Sequence, residues 1–157
     1  MTKILIPAGS PEDWKQFLAD PEKQWKSGYS ARSLAYCWHE SDGMPPEILS
    51  VLGQVPSLKS LKTIFAIPEH KVPLPGGVKA SQSDVWVLGE SSGGLVSIAV
   101  EGKVSEPFGP TVGEWFENKT AGKEERLEFL CAELGFEYPP PSKTRYQLLH
   151  RAVESSR

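Results

Sequence analysis

Cysteine and histidine are scarce in this chain, and neither is arranged for metal. The two cysteines, Cys37 and Cys131, sit in no CxxC spacing. The three histidines, His39, His70 and His150, form no H-x-x-x-H pair and have no nearby cysteine. A zinc site and a disulfide framework are therefore not expected, and two free, buried thiols in a reducing compartment are. Long apolar runs are missing as well. The short run near the N-terminus falls below the roughly 7–15 residues of a signal-peptide core, and nothing approaches the roughly 18–20 of a membrane span. These two absences lead to the expectation of a soluble, cytoplasmic protein. Positive charge is not in excess: 17 Lys and Arg stand against 20 Asp and Glu, a formal net charge of −3. A histone-like binder of nucleic acid is excluded, and any basic surface has to be local or supplied by a metal. The glycine-rich "GESSGG" (residues 89–94) lacks the Lys and Ser/Thr of a phosphate-binding P-loop and reads as a hairpin turn. No nucleophile-elbow motif is present.

What remains is an ordinary globular composition, 39% hydrophobic and 24% charged over 157 residues, the size of one domain. Ser10, Pro11, Glu12 and Asp13 spell a helix start. Ser30 is placed to cap a helix over about 31–41, with Leu34, Tyr36, Cys37 and Trp38 as its apolar face and Gly43 as its end. Another short helix is expected over 45–54. The texture then turns to β-branched residues and prolines. A strand is expected at 61–67, followed by an irregular continuation and a turn at Pro75-Gly76-Gly77. Residues 3–8 read as a short strand or arm.

After the hairpin, Thr111 caps one helical stretch, and Leu127, Leu130, Cys131 and Leu134 recur at i, i+3, i+4 and i+7 in a second. A short strand near 136–138 and a last helix over "RYQLLHRAVES" complete the chain. The fold class expected is α/β or α+β, with helices flanking a small mixed sheet in a single domain over 1–157.

The hairpin over 81–103 carries the most information. Symmetry about "ESSGG" (residues 90–94) pairs Val85 with Val100, Trp86 with Ala99, Val87 with Ile98 and Leu88 with Ser97. Asp84 then falls opposite Glu101, and Lys103 shares their side. Val85, Val87, Val96, Ile98 and Val100 make one apolar face. Asp84, Trp86, Ala99, Glu101 and Lys103 make the other. Two facing carboxylates repel unless positive charge lies between them, and Mg²⁺ takes carboxylate oxygens together with water and substrate phosphate. The alternative is an ordinary pair of rim charges with Lys103 as their counter-ion.

An Asp at the start of one strand, E-x-K at the end of the next, and helical sequence on both sides resemble the PD-(D/E)XK nuclease superfamily, the restriction-endonuclease-like fold. The residue before Asp84 is Ser83, where that family often has proline. The whole chain also resembles a small bacterial or phage family within that superfamily. The resemblance implies Mg²⁺ or Mn²⁺ held by Asp84 and Glu101, with the Gly102 carbonyl as a third ligand, and Lys103 positioning the attacking water. It implies phosphodiester hydrolysis of nucleic acid, with DNA as the first expectation. Glu40, or its rival Glu69, would complete the metal shell. Gln147, His150 and Arg151 share one face of the last helix and are candidates for contacting phosphate, and Trp86 for walling the site or stacking on a base. A homodimer or partner protein would supply target recognition. The alternative function is a catalytically inactive module of the same fold that binds a partner.

Overall fold

The computed structural model describes residues 4, 8–41 and 43–156. It is a mixed α+β chain with a small three-stranded antiparallel sheet, of order β1-β2-β3. The strands are β1 (Lys62–Val72), β2 (Ser81–Ser91) and β3 (Gly94–Val100). The helices are α1 (Pro21–Gln24), α2 (Ser30–Glu40), α3 (Pro46–Leu52), α4 (Val112–Phe116), α5 (Ala121–Leu134) and α6 (Tyr146–Ser155). Short 3-10 helices occupy Pro11–Phe17 and Pro56–Leu58.

The chain divides into two compact units. The first is Met1–His70 with Asp84–Glu106, and the second is Lys71–Ser83 with Pro107–Arg157. Each has its own core. In the first, Trp14, Ala35, Trp38, Met44, Leu61, Ala66, Val85 and Val87 are buried together. Val96, Ile98 and Val100 pack on them from β3. Removing side chains such as Val85 and Val87 from water contributes roughly 1.5–3 kcal/mol each. In the second, Leu127, Leu130 and Cys131 of α5 meet Leu149 and Val153 of α6, with Val72, Leu74 and Val112. Tyr146 joins this core and stacks on Trp115, with ring centroids 3.9 Å apart.

Several local elements differ from the sequence expectation. The helical start after Ser10 is a 3-10 helix, in which the Ser10 N–H donates to the Asp13 carboxylate at 2.9 Å. Ser30 does not cap α2: it is the first helical residue, after Tyr29 at the N-cap. The Ser30 N–H and hydroxyl both donate to Glu106, each at 2.7 Å. Only Ala35 and Trp38 of the apolar α2 positions are buried. Tyr36 and Cys37 turn outward, so Cys37 is an exposed thiol where a buried one was expected. The helix advances 100° per residue, and the stripe through 35 and 38 leaves 36 and 37 on the far side.

β1 runs unbroken through Pro68 to Val72. A proline is tolerated there because β1 is an edge strand, where a missing N–H need not cost a ladder bond. Within it Glu69 takes φ 52, a left-handed conformation that costs a non-glycine residue on the order of 1–3 kcal/mol. No strand forms at 136–138. Phe136 and Tyr138 are exposed, and the prolines that follow offer no N–H to a ladder. The arm expected at 3–8 lies mostly outside the described residues; of it, Ile4 bridges Ala66 in parallel and Ala8 is buried. Thr111 caps α4 as expected, accepting the Glu114 N–H at 3.3 Å. α5 ends on Gly135 at φ 67, the left-handed position that favours glycine.

Glu106 is the clasp on α2. Burial pushes its pKa up, but the N–H and hydroxyl of Ser30 and the N–H of Val104 outweigh that and bring it down to about 2. Its folded pKa is thus below the ordinary 4.5. The stabilisation is complete above that ordinary value and is lost as pH falls toward 2. Glu106→Gln removes charge and one acceptor oxygen, and is expected to cost about 1–3 kcal/mol at neutral pH. Urea unfolding at pH 7 and pH 3 checks both statements. The wild type should lose stability between the two pH values, and the variant should lose less.

Candidate functional site

β2 alternates. Ser81, Ser83, Val85, Val87 and Gly89 are buried, and the residues between them are half-buried. This period of two follows from the pleat, which sends successive side chains to opposite faces. The β2–β3 register is Val85↔Val100, Trp86↔Ala99, Val87↔Ile98 and Leu88↔Ser97, closing at Ser91↔Gly94. It is the register that turn symmetry gives, and Asp84 and Trp86 accordingly share the face opposite the valines.

The ladder stops one pair short of the expected Asp84–Glu101 position, because β3 ends at Val100. The Asp84 side chain takes over from the backbone there. Its Oδ2 accepts the Gly102 N–H at 2.8 Å, joining the strand-borne carboxylate to the middle of the E-x-K segment. On either side of Gly102, Lys103 Nζ and Glu101 Oε1 form an ion pair at 2.5 Å. Their side chains are only 20% and 15% exposed, so the pair is shielded more than a surface ion pair. Asp84, Glu101, Gly102 and Lys103 thus stand at one end of the hairpin.

Gly102 is where α2 meets this end. A Cβ there would come within 2.6 Å of Leu34 Cδ1 and 3.3 Å of Ser30 Cβ. Trp86 does not stand alone on its face: its ring lies 5.9 Å from Phe65 and 5.2 Å from His70, and its Nε1 donates to Ser97 at 2.9 Å. The half-buried indole is therefore held in an aromatic cluster beside the Asp84 side of the sheet.

Other expected site residues are dispersed. Glu40 is the exposed last residue of α2, and Glu69 sits at the left-handed position of β1. Among the described residues no group of three or more His, Cys, Asp or Glu side chains stands close enough to hold a metal. Neither Glu40 nor Glu69 therefore makes a three-carboxylate cluster with Asp84 and Glu101. Gln147, in the first turn of α6, is half-buried against Gly109.

His150 and Arg151 belong to a second constellation. Glu154, also on α6, is 0% exposed. Its Oε1 accepts the Ser83 N–H at 3.0 Å and the Ser83 hydroxyl at 2.6 Å. Its Oε2 accepts the Ser81 hydroxyl at 2.7 Å and Arg151 Nη1 at 3.3 Å. Ser81 Oγ also lies 2.7 Å from His150 Nδ1 and 2.8 Å from Arg151 Nη1. Burial lowers the His150 pKa, and the charges of Arg151, Arg126 and Lys79 lower it further, to about 3.

Sequence reasoning missed Ser81, Ser83 and Glu154. The signal was present in "SQS" (residues 81–83), which puts two hydroxyls on the face that Val85 and Val87 bury, and buried hydroxyls need partners. Glu154 lies four residues from His150 and three from Arg151, on the same helix face.

One family model covers nearly all of this chain: that of a domain of unknown function (DUF6946), matched over residues 7–155. The chain belongs to this family. No curated protein and no solved structure matches it. The DUF6946 match runs through both units, and so takes in the Asp84 end of the hairpin and the Glu154 network alike. No helix among the described residues is long and apolar enough to cross a membrane.

The Asp84–Gly102 bond makes a prediction for this DUF6946 chain. Asp84→Ala leaves the Gly102 N–H without its acceptor and is expected to cost about 1–3 kcal/mol, whereas Asp84→Asn keeps a carbonyl oxygen and should cost less. Gly102→Ala should destabilise by a similar about 1–3 kcal/mol through overpacking on Leu34. Chemical unfolding of the three variants checks the order; equal losses for Ala and Asn at position 84 would remove the hydrogen bond from the account.

Proposed function

We propose that this chain is a restriction-endonuclease-like protein that hydrolyses phosphodiester bonds of nucleic acid, DNA foremost, with Mg²⁺ or Mn²⁺. The observation that supports this reading is the 2.8 Å bond from the Gly102 N–H to Asp84. It brings an aspartate from one strand to the Glu101-Gly102-Lys103 segment after the next, which is the combination the motif requires.

The donors suit a hard cation. The Asp84 and Glu101 carboxylates and the Gly102 carbonyl are all oxygens, the ligand type Mg²⁺ and Mn²⁺ prefer. Asp84 and Glu101 would hold the ion. Bound there, it would supply a lowered water pKa and neutralisation of phosphate charge. Lys103 contributes a shielded ammonium with three donors. It already holds Glu101 in place, and it can orient a water or meet negative charge developing on phosphate. Trp86, beside Phe65 and His70, offers an aromatic surface for a base.

A second reading has its own observation. The Lys103–Glu101 ion pair and the N–H on Asp84 relieve much of the carboxylate repulsion without a cation. A hairpin end balanced in this way would serve a binding module that performs no hydrolysis and docks on a partner protein or a second copy.

Titration calorimetry of Mn²⁺ into the wild type, Glu101→Ala and Lys103→Ala separates the two. So does incubation of each with single- and double-stranded DNA and Mn²⁺. Under the nuclease reading the wild type binds and cleaves, Glu101→Ala does neither, and Lys103→Ala binds but cleaves about 10²-fold or more slowly. A folded wild type that neither binds Mn²⁺ nor cleaves overturns the nuclease reading and leaves the binding module.

A further inference from the structure

Glu154 is a fully buried carboxylate that the proposed metal site does not use, and its hydrogen bonds constrain the protons around it. A carboxylate offers about four lone-pair sites, and here four donors approach: the N–H and hydroxyl of Ser83, the hydroxyl of Ser81, and Arg151. These contacts fill the acceptor sites of Glu154, and the single hydroxyl proton of Ser81 points at its Oε2. Ser81 Oγ has two lone pairs left. Arg151 Nη1, at 2.8 Å, fills one. His150 Nδ1, at 2.7 Å, fills the other when it carries the proton, and Arg151 Nη1 lies 3.3 Å from the same nitrogen. The imidazole is then the neutral Nδ1–H tautomer, with its lone pair on Nε2.

We propose that His150, Ser81 and Glu154 form a proton relay, in which His150 Nε2 accepts a proton from a water or hydroxyl group and the buried Glu154 carboxylate stores it.

The transfer balances without any co-reactant. An N–H bond forms at Nε2 as the O–H bond of the donor breaks. The Nδ1 proton moves to Ser81 Oγ, and the original Ser81 proton moves to Glu154 Oε2. One proton enters, the donor keeps its electron pair, and nothing is oxidised or reduced. The ring is neutral before and after, and the carboxylate becomes a carboxylic acid. Both Ser83 bonds to Oε1 persist throughout.

The charged groups around the ring favour this route over an imidazolium. Arg151 Nη1 lies 3.3 Å from Nδ1, and Arg126 of α5 and Lys79, which precedes β2, also oppose positive charge on the ring. Tyr146, one turn earlier on α6, places its ring 5.0 Å from His150 and remains neutral because burial raises its pKa. Glu154 is the carboxylate in the network. The access is one-sided: the imidazole is half-buried, while Glu154 and Ser83 are fully enclosed. A proton can reach the carboxylate through the ring and the hydroxyl. The inference is independent of metal binding at Asp84.

Nitrogen-15 NMR of the histidine side chains in the full chain tests it, together with infrared spectroscopy of the carboxyl groups during acid titration. In the wild type at neutral pH, His150 is expected as Nδ1–H over Nε2–H by about tenfold or more, the ratio that one hydrogen bond to a charged network supports. On acidification a buried carboxylic acid signal should appear while His150 stays neutral and changes to Nε2–H. In Ser81→Ala the Arg151 donor faces Nδ1 directly, so Nε2–H should dominate already at neutral pH. Nε2–H in the neutral wild type overturns the proposal, and so does an imidazolium forming before any buried carboxyl is protonated. The wild-type titration decides the matter even if Ser81→Ala does not fold.

Discussion

The pairing of β2 with β3 is the constraint on which the hairpin site depends. Its register follows from a tight turn and from one face of alternating valines and isoleucine that must leave water. A slip of β2 by one residue would send Val85 and Val87 outward, at roughly 1.5–3 kcal/mol for each side chain returned to water. The same slip would move Asp84 to the core face, away from Gly102. The hydrophobic requirement thus fixes the polar arrangement as a by-product, and brings Asp84 to the Gly102 N–H.

In the second unit a buried carboxylate plays the corresponding part. Glu154 gathers the first residues of β2 and the last turns of α6 through Ser81, Ser83 and Arg151. An ionised group in a dry interior is tolerable only when its lone pairs are filled, and here the contacts fill them. Such a network limits the proton positions available to it, and the proposed relay through His150 rests on that limit. Glu106 does a simpler version of the same work in the first unit, holding the start of α2 through Ser30.

The two constellations differ in chemistry. Around Gly102, two carboxylates and an ammonium stand partly shielded at the end of a hairpin, and the proposed phosphodiester hydrolysis rests on them. Around Ser81, one carboxylate is sealed behind a hydroxyl and an imidazole among cations, an arrangement suited to moving a proton. Membership of the DUF6946 family covers both and names a reaction for neither.

Much of the hairpin was legible in the sequence because it is local. The turn residues, the alternation of period two and the positions of Asp84, Glu101 and Lys103 lie within about two dozen residues, where geometry follows from spacing. The helices were legible for the same reason, through Thr111 as a cap and the repeat of Leu127, Leu130 and Cys131. What depended on distant residues was not. Whether Cys37 is buried depends on which stripe of α2 meets the core, and Pro68 could continue a strand because β1 lies at an edge. Glu69 is held in a left-handed conformation that no local preference would choose. The pairing of Ser81 and Ser83 with Glu154 spans some seventy residues, and only the folded chain decides it. Spacing along the chain determined which groups could share a face. Tertiary burial decided which of them had to find partners, because a polar group removed from water must be satisfied wherever in the sequence its partner lies.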